Sequence, residues 1–291
     1  MIFDSILTRT AIDKGWSGDK KYCVTTKEGE TYLLRISSSD RYDRRKREFE
    51  RTRQVAALGI PMCLPLEFGV CDEGVYSIQS WIDGTDAETV IPTLSIARQY
   101  AYGLDAGKIL FQIHSLPAPA DAPDWETRFN AKVDRKIAMY ENCPLKYENG
   151  ETILRYLAQN RQLLANRPQS YQHGDYHIGN MMLDSNGVLT VIDFDKDDSG
   201  DPWEEFNRIV WSAKAAPAFA SGMVDGYFHG AVPMDFWKLL ALYICSNTIG
   251  SLPWAIPFGE REIQVMRGQA ADVLEWYDQM QKVVPSWYCK P

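Results

Sequence analysis

The chain has 291 residues, which is enough for two lobes that each bury a hydrophobic core of their own. Hydrophobic residues make up 45% of the sequence and aromatic residues 12%, and this composition excludes a disordered or low-complexity protein. The formal net charge of −8 argues against a general nucleic-acid-binding protein, whose surface has to be basic, and fits a cationic substrate better.

The six cysteines are scattered, without a CxxC pair or a Cys/His spacing typical of zinc sites, and this predicts reduced, structural thiols. The first residues lack the basic and apolar regions of a signal peptide. The most apolar stretch, from Phe236 to Phe258, is interrupted by a lysine, an asparagine and two prolines, so it predicts a core helix and loop rather than a membrane span. These features predict a cytoplasmic protein that binds neither membrane nor nucleic acid.

The N-terminal segment begins with a glycine-bearing turn, Gly15 to Asp19, and continues with a β-branched run from Tyr22 to Thr26 that predicts a strand. A second strand is predicted from Thr31 to Ile36. Because side chains alternate along a strand, Leu33 and Arg35 share one face, and we expect them to line a common cleft.

A charged helix is predicted from Asp40 to Leu58, where a glycine and a proline supply stop signals. Two further strands are predicted, from Leu64 to Cys71 and from Val75 to Ile82. We therefore expect an N-terminal lobe over residues 1–82, a hinge at about 79–84 and a second lobe over residues 85–291.

The second lobe is predicted to be mainly helical, with helices from Ser95 to Leu116 and from Ile153 to Leu164. Within it, Asn186-Gly187 separates two apolar runs, which is a strong signal for a β-hairpin. The residues that flank this hairpin carry the most informative pattern in the chain.

That pattern places Asp175, an asparagine five residues later at Asn180, and Asp193 at the end of the next strand. Phosphoryl transfer needs one carboxylate that meets the attacking hydroxyl and oxygen ligands that hold Mg²⁺, for which a carboxamide and a carboxylate suffice. Because Asn180 enters the hairpin and Asp193 leaves it, we expect their side chains to lie together. Two alternatives are that these residues only cap loops, or that His173, Asp175 and His177 form a hydrolytic metal site.

The HGDxxxxN…IDFD pattern resembles the catalytic and metal-binding segments of the aminoglycoside phosphotransferase family, and the resemblance extends from about Ile12 to Trp211. It implies an α+β, bilobal protein-kinase-like fold, with a small antiparallel β-sheet in the N-lobe and a larger, mainly helical C-lobe. It also implies that Asp175 is the catalytic aspartate, that Asn180 and Asp193 are magnesium ligands, and that Asp195 is a supporting carboxylate.

The resemblance assigns the nucleotide-binding residues to the N-lobe. Gly15, Ser17 and Gly18 would approach the phosphates through backbone N–H groups, as in the family's phosphate-covering loop. Arg35 stands where the family pattern has a lysine, and it keeps the positive charge on a longer, planar group. Leu33, on the same face, would cover the purine ring.

Three further positions follow from the same resemblance. Glu48 on the charged helix is the expected ion-pair partner of Arg35, with Glu50 as the second choice. Gln79 and Trp81 lie where the segment between the lobes would bind the edge of the base through backbone groups.

Downstream, Gly200-Asp201-Pro202 resembles the family's GDPxxD-like element, in which the first aspartate braces the catalytic loop. We therefore expect Asp201 to be structural. Glu204 or Glu205 stands at the position of the second family aspartate, and the sequence leaves open which of the two it is.

The predicted activity is in-line transfer of the γ-phosphoryl group of ATP or GTP, with Mg²⁺, to a hydroxyl of a small molecule, by a monomer or weak dimer. An aminoglycoside is the expected acceptor, which would make the protein a resistance kinase. Carboxylates that would bind such a polycation are Asp225, Asp235, Glu260, Glu262, Glu275 and Asp278. The alternatives are a macrolide kinase, a metabolic kinase for choline, a sugar or an amino alcohol, and a nucleotide-binding pseudokinase.

Overall fold

The computed structural model describes residues 1–13, 18–196 and 198–290. The strands are β1 Ile6–Ala11, β2 Lys20–Thr26, β3 Thr31–Ser37, β4 Pro65–Cys71, β5 Gly74–Ser80, β6 Gly84–Asp86, β7 Ser170–Gln172, β8 Met181–Asp184, β9 Leu189–Val191 and β10 Asp198–Gly200. The helices are α1 Ile2–Ser5, α2 Tyr42–Ala56, α3 Ala87–Val90, α4 Ile96–Ile113, α5 Trp125–Glu141, α6 Gly150–Asn160, α7 Ile209–Ala215, α8 Pro217–Tyr227, α9 Met234–Ala255 and α10 Glu260–Trp276. Short 3₁₀ segments include Ile178–Asn180, Glu204–Arg208 and Ile256–Phe258.

The chain divides into two compact units. The N-terminal unit comprises Met1–Ala87 and Asn180–Asp197, and the C-terminal unit comprises Glu88–Gly179 and Asp198–Pro291. This division differs from the expected one, because the hairpin that the sequence analysis assigned to the second lobe groups with the N-terminal unit. Backbone pairing explains the difference: β6 pairs with β8, and Val191 in β9 bonds to the backbone of Pro61 and Cys63.

The N-terminal unit is built on a five-stranded antiparallel sheet with the order β1-β2-β3-β5-β4. Leu34 and Ile36 pack with Val24, Tyr76 and Ile78 into its core. The predicted alternation along β3 is confirmed, because its odd-numbered residues point away from this core. The sequence analysis missed β1, although the β-branched residues Ile6, Thr8 and Thr10 occupy every second position along it, a pattern that favours a strand.

The hairpin β8–β9 of the N-terminal unit is confirmed, and its loop is longer than a two-residue turn. Asp184 N–H donates to Val188 at 3.0 Å, so Ser185, Asn186 and Gly187 form a three-residue loop. Gly187 has a φ of +77°, a conformation that favours glycine. Gly84, expected at the hinge, instead begins β6, where a Cβ would lie 2.3 Å from the carbonyl oxygen of Leu183.

The C-terminal unit is mainly helical, and α4 and α8 pack with their backbones in close approach. Gly103 and Gly107 on α4 face Gly222 and Gly226 on α8, and a Cβ on any of the four would lie within 2.2 Å of a carbonyl oxygen of the facing helix. This spacing of glycines four residues apart on both helices explains why the two axes lie so close together.

Helix α9 is the central helix of this unit. In the described residues, the segment Met234–Phe258 is the one helix with the length and composition to cross a membrane, but 67% of its most apolar window is buried inside the protein. Its apolar side chains therefore cover the core, as the sequence analysis predicted for this stretch. The helix continues to Ala255 with Pro253 in its last turn, where the sequence analysis expected a loop.

Candidate active site

The loop of residues 173–180, which we name the catalytic loop after its predicted role, follows β7 and is held by its backbone. Gly174 N–H and Tyr176 N–H donate to Glu205 Oε1 at 3.0 and 3.3 Å, and Ile178 N–H donates to Ser212 Oγ at 3.0 Å. Gly174 has a φ of +84°, which an L side chain would strain. The loop therefore has a conformation that its neighbours in the C-terminal unit determine.

Glu205 is the residue that braces this loop. It is 2% exposed, and burial by itself raises the pKa of its carboxyl; the nearby histidines His114 and His173 and the N–H of Gly174 outweigh that effect and hold the pKa below its ordinary value. The carboxylate that accepts two backbone N–H bonds is thus kept ionised. This contact decides between the two glutamates that the sequence left open.

Asp201, for which a bracing role at the loop was expected, has a different set of partners. Arg167 donates to both of its carboxylate oxygens, at 2.6 and 3.0 Å, and the Tyr243 hydroxyl donates at 2.6 Å. The residue is fully buried, and these side-chain contacts are to Arg167 and Tyr243 rather than to the loop itself.

The side chain of Asp175 contacts Arg208 and His177 and remains partly accessible. Arg208 Nε lies 3.2 Å from Asp175 Oδ1, His177 Nε2 lies 3.8 Å from the same oxygen, and the side chain is 13% exposed. The His173 ring is buried, and its Nδ1 accepts the N–H of Asp175 at 3.3 Å. Within residues 1–13, 18–196 and 198–290, no three His, Cys, Asp or Glu side chains form a group that would hold a metal ion, so the hydrolytic alternative has no geometric support.

In the N-terminal unit, the hairpin brings Asn180 and Asp193 to the same end. Met181 pairs with Val191, and Ile192 N–H donates to the carbonyl oxygen of Asn180 at 3.0 Å. Asp193 itself has a φ of +67°, a left-handed conformation that costs a non-glycine residue about 1 kcal/mol and that aspartate tolerates better than most.

Arg35 lies on the face of β3 opposite the core and contacts three carboxylates of the N-terminal unit. Its Nη1 lies 3.0 Å from Asp193 Oδ1, its Nη2 bonds to Asp195 Oδ2, and its Nη2 lies 3.6 Å from Asp19 Oδ2. Burial lowers the pKa of the guanidinium, but Asp195, Asp193 and Asp19 outweigh it and raise the pKa above its ordinary value. Arg35 is therefore a permanent cation beside the end of the hairpin.

The prediction that Glu48 pairs with Arg35 is wrong. Glu48 Oε2 lies 2.5 Å from Arg45 Nη1, and Arg45 Nη2 lies 2.6 Å from Asp19 Oδ2. Arg45 lies almost one helical turn before Glu48 on α2 and forms an ion pair with it. Asp19 contacts both Arg45 and Arg35. Glu50, the second choice, is exposed.

Asp19 was not predicted, although its side chain is 1% exposed and contacts both arginines. A buried carboxylate beside a glycine-bearing turn is hard to distinguish in sequence from a turn aspartate on the surface.

A small cavity of about 40 Å³ lies behind Arg35 in the N-terminal unit, lined among others by Arg45, Glu48, Gln79 and Asp195. Gln79 pairs with Leu33 across β5 and β3, so these two predicted residues are neighbours.

The remaining predicted nucleotide-binding residues lie at the surface or outside the described residues. Trp81 follows β5 and is 40% exposed, and Gly18 is exposed. Gly15 and Ser17 lie outside the described residues.

The residues at the end of the hairpin fit a magnesium ion. Asp195 Oδ1 is buried and, among the described residues, has no hydrogen-bond partner. An unsatisfied carboxylate oxygen two residues from Asp193, together with the amide of Asn180, supplies the hard oxygen ligands that Mg²⁺ prefers. Such a site uses few protein ligands, because nucleotide phosphates and water complete the shell.

The carboxylates expected to bind a polycation have neighbours of their own. Asp225 is buried and accepts the hydroxyls of Tyr100 and Tyr288 at 2.5 and 2.6 Å. Asp235 pairs with Lys238 at 3.0 Å and Asp278 with Lys282 at 3.2 Å. Gln264 donates to Glu260 at 2.5 Å, while Glu262 and Glu275 lie on α10. Four of the six are therefore already engaged by their own neighbours.

Comparison with known proteins agrees with this fold. A thermostable mutant of aminoglycoside phosphotransferase APH(4)-Ia, solved in a ternary complex with AMP-PNP and hygromycin B, has 15% identity and a TM-score of 0.68 over 94% of this chain and 95% of that one. A choline/ethanolamine kinase family protein from Mesorhizobium loti has 16% identity and a TM-score of 0.67 over 94% and 91%. APH(3'')-Id from Streptomyces rimosus has 18% identity and a TM-score of 0.56 over 83% and 92%.

These likenesses support the protein-kinase-like fold that the sequence predicted. A search of curated proteins gave no match. The family model described as the phosphotransferase enzyme family matches residues 8–239, which include the catalytic loop, the hairpin and Arg35. The chain therefore belongs to the phosphotransferase enzyme family.

Proposed function

We propose that this phosphotransferase moves the γ-phosphoryl group of ATP or GTP to a hydroxyl of a small molecule, with Asp175 as its catalytic residue. The observation that carries this assignment is the contrast between the backbone and the side chain of the loop. Glu205 and Ser212 fix the backbone, while the carboxylate of Asp175 keeps an accessible edge. A general base has to be held in place and still be reachable by its substrate.

The roles of the individual side chains follow from their charges. Asp175 accepts a hydrogen bond from the acceptor hydroxyl, orients it and takes its proton as the phosphoryl group is transferred. Arg35, whose terminal nitrogens bond to Asp193 and Asp195, supplies positive charge for the phosphate oxygens. Asn180, Asp193 and Asp195 would hold Mg²⁺, which neutralises charge on the phosphates when it is bound.

The acceptor is proposed at the level of its class. Aminoglycosides are the first candidates, because solved structures with this fold carry that name, one of them with hygromycin B. Choline- or ethanolamine-like alcohols are the second, because the fold also occurs in a protein named for that family. Macrolides, sugars and other amino alcohols complete the set that the sequence suggested.

A nucleotide-binding pseudokinase is the alternative from another class, since Arg35 replaces the usual lysine. The loop geometry argues against it, because a module that only binds nucleotide has no need for an accessible carboxylate at Asp175. An enzyme that consumes ATP or GTP is consistent with the predicted cytoplasmic location.

The experiment is a coupled nucleotide-turnover assay with Mg²⁺, run with ATP and with GTP against aminoglycosides, macrolides, choline and simple sugars. Stimulation by one acceptor, with formation of a phosphate ester, supports the assignment. Tight binding of Mg²⁺·AMP-PNP without turnover on any acceptor would favour the pseudokinase instead.

A further inference from the structure

Lys136 lies on α5 in the C-terminal unit, and its aliphatic stem packs over α9. A Cβ added to Gly250 would lie 3.0 Å from both Cδ and Cε of Lys136, so the lysine occupies the space that any other residue at position 250 would fill. The side chain is half-buried. Gly250 therefore provides the room in which this lysine lies against the helix.

The ammonium group of Lys136 has no hydrogen-bond or ion-pair partner in the part of the chain that the structure describes. Its neighbours are already paired: Lys132, one turn earlier, lies 3.1 Å from Glu204, and Arg208 lies 3.2 Å from Asp175. Lys136 is thus an additional positive charge in a region where the carboxylates of Glu204 and Asp175 already contact other cations, Lys132 and Arg208.

The pKa of Lys136 agrees with that geometry. Burial and the charge of Lys132 lower it to about 7, with smaller contributions from Arg208 and Arg135, and Glu204 opposes them. An anion bound at this amine would favour its charged form.

The position of Lys136 relative to Asp175 follows from two rows of residues. Lys132 and Lys136 are four residues apart on α5, and Glu204 and Arg208 are four residues apart on their 3₁₀ segment. The contact of Lys132 with Glu204 brings α5 against this segment, and Lys136 lies about 6 Å from Lys132, one turn further along α5. The charge of Arg208 acts on Lys136, and Arg208 itself contacts Asp175. These contacts connect Lys136 to the surroundings of Asp175.

We infer that Lys136 binds an anionic group of the acceptor, a carboxylate or a phosphate, while Asp175 meets the hydroxyl. This inference rests on the proposed function, because it concerns the acceptor of that reaction. A half-buried ammonium without a partner is satisfied by an anion, whereas a polycation would add charge to Lys132, Lys136 and Arg208. The class of acceptor that fits is a hydroxy acid or a phosphorylated alcohol.

The first test measures anion binding directly and needs no turnover. The full-length protein, saturated with Mg²⁺·AMP-PNP so that the nucleotide phosphates are already bound, is labelled by reductive methylation of its lysines with ¹³C. The Lys136 resonance, identified by its absence in Lys136→Met, is then titrated with pH in the presence of inorganic phosphate, glucuronate or choline. We expect phosphate or glucuronate to raise the midpoint of Lys136 and choline to leave it unchanged; a midpoint that no anion moves would overturn the inference.

The second test compares acceptors that share a scaffold and differ in charge: glucuronate, glucose and glucosamine. We expect the anionic member to have the highest kcat/KM, and Lys136→Met to raise its KM about tenfold with little change in kcat, since the variant loses a charged hydrogen bond to the bound substrate. Lys136→Arg should retain most of the affinity. Lys108→Met, an exposed lysine on α4 that pairs with Asp105, is the matched control.

The outcomes separate this inference from the proposed function. A preference for glucosamine or an aminoglycoside that Lys136→Met leaves intact would leave the kinase assignment in place and refute the role of Lys136. Loss of Mg²⁺·AMP-PNP binding would refute the kinase assignment, and the lysine titration, repeated without nucleotide, would still decide whether Lys136 binds anions.

Discussion

Arg35 Nη1 lies 3.0 Å from Asp193 Oδ1, so the arginine that replaces the usual lysine is bonded to the carboxylate proposed to hold Mg²⁺. The second nitrogen of the same guanidinium bonds to Asp195. An ammonium is a point charge and cannot hold two carboxylates along two parallel bonds in this way. Arginine at this position therefore organises the end of the hairpin as well as supplying charge for phosphates.

Replacing Arg35 tests this double role. We expect Arg35→Lys to weaken Mg²⁺·AMP-PNP binding by roughly tenfold, or about 1.4 kcal/mol, because charge is kept and the paired geometry is lost. Arg35→Met should also lower the free energy of unfolding by about 3–5 kcal/mol, because it leaves buried carboxylates without their cation. Calorimetry and thermal denaturation measure the two effects. Arg44→Met removes an ion pair whose arginine is 63% exposed, and it should change stability by less than about 0.5 kcal/mol.

Asp175→Asn is expected to lower kcat by about 10²–10⁴-fold, because the amide keeps the shape of the side chain and cannot accept the hydroxyl proton. Binding of Mg²⁺·AMP-PNP should remain close to that of the wild type. Asp198→Asn, an aspartate that pairs with Arg128 and is 56% exposed, serves as the control for a general effect of lost charge. Equal turnover in wild type and Asp175→Asn would refute the role of Asp175.

Glu205 predicts a pH dependence of stability. The pKa of its carboxyl is held below the ordinary value in the folded chain. Its contribution to the free energy of unfolding is therefore present above about pH 4.5 and is lost as the pH falls through the folded pKa. We expect Glu205→Gln to be less stable than wild type at pH 7 by about 1.5–3 kcal/mol, the range for hydrogen bonds to a charged group, and the gap to narrow in acid. Denaturant unfolding at pH 7 and near pH 4 measures the gap, and a gap independent of pH would contradict the bracing role.

The close approach of α4 and α8 predicts a large steric effect. Gly107→Ala would set a Cβ 2.2 Å from the carbonyl oxygen of Met223, and separating two backbones should cost about 3 kcal/mol of stability. Gly268→Ala on α10 is the matched control, because nothing lies within 4 Å of its Cβ position. That substitution should stabilise the protein by up to about 1 kcal/mol. Similar melting temperatures for the two variants would show that the helices are not constrained at Gly107.

Lys136 predicts a second dependence of stability on pH, in a higher pH range than that of Glu205. Its pKa is about 7 in the folded chain and 10.5 ordinarily, so between these values the unfolded chain binds the proton more strongly and stability rises with pH. The charged groups that act on this amine are Glu204, Lys132, Arg135 and Arg208. We therefore expect Lys136→Met to be stabilised relative to wild type at pH 6.5, and the difference to shrink by pH 9. Melting curves at the two pH values test this sign.

Several features were fixed by local patterns. The alternation along β3 set which face Arg35 occupies, because a period of two residues is a property of any strand. Asn186-Gly187 predicted the hairpin, since these residues favour a tight turn, and the HGDxxxxN…IDFD spacing predicted the family. The apolar stretch from Phe236 to Phe258 predicted a core helix, because so many large apolar side chains favour burial in the protein interior.

Other features depended on contacts between residues far apart in the chain. The partner of Arg35 was mistaken because Arg45 takes up Glu48 on the same helix while Asp19 and Asp193 reach Arg35 from other segments. Glu205 could not be distinguished from Glu204 until their different partners, Gly174 and Lys132, were known. Sequence by itself determined the strand faces, the turn and the catalytic pattern, because these depend on neighbours along the chain. Only the tertiary structure decided which charges are paired and which lysine is left without a partner, because ion pairing depends on distances that packing sets.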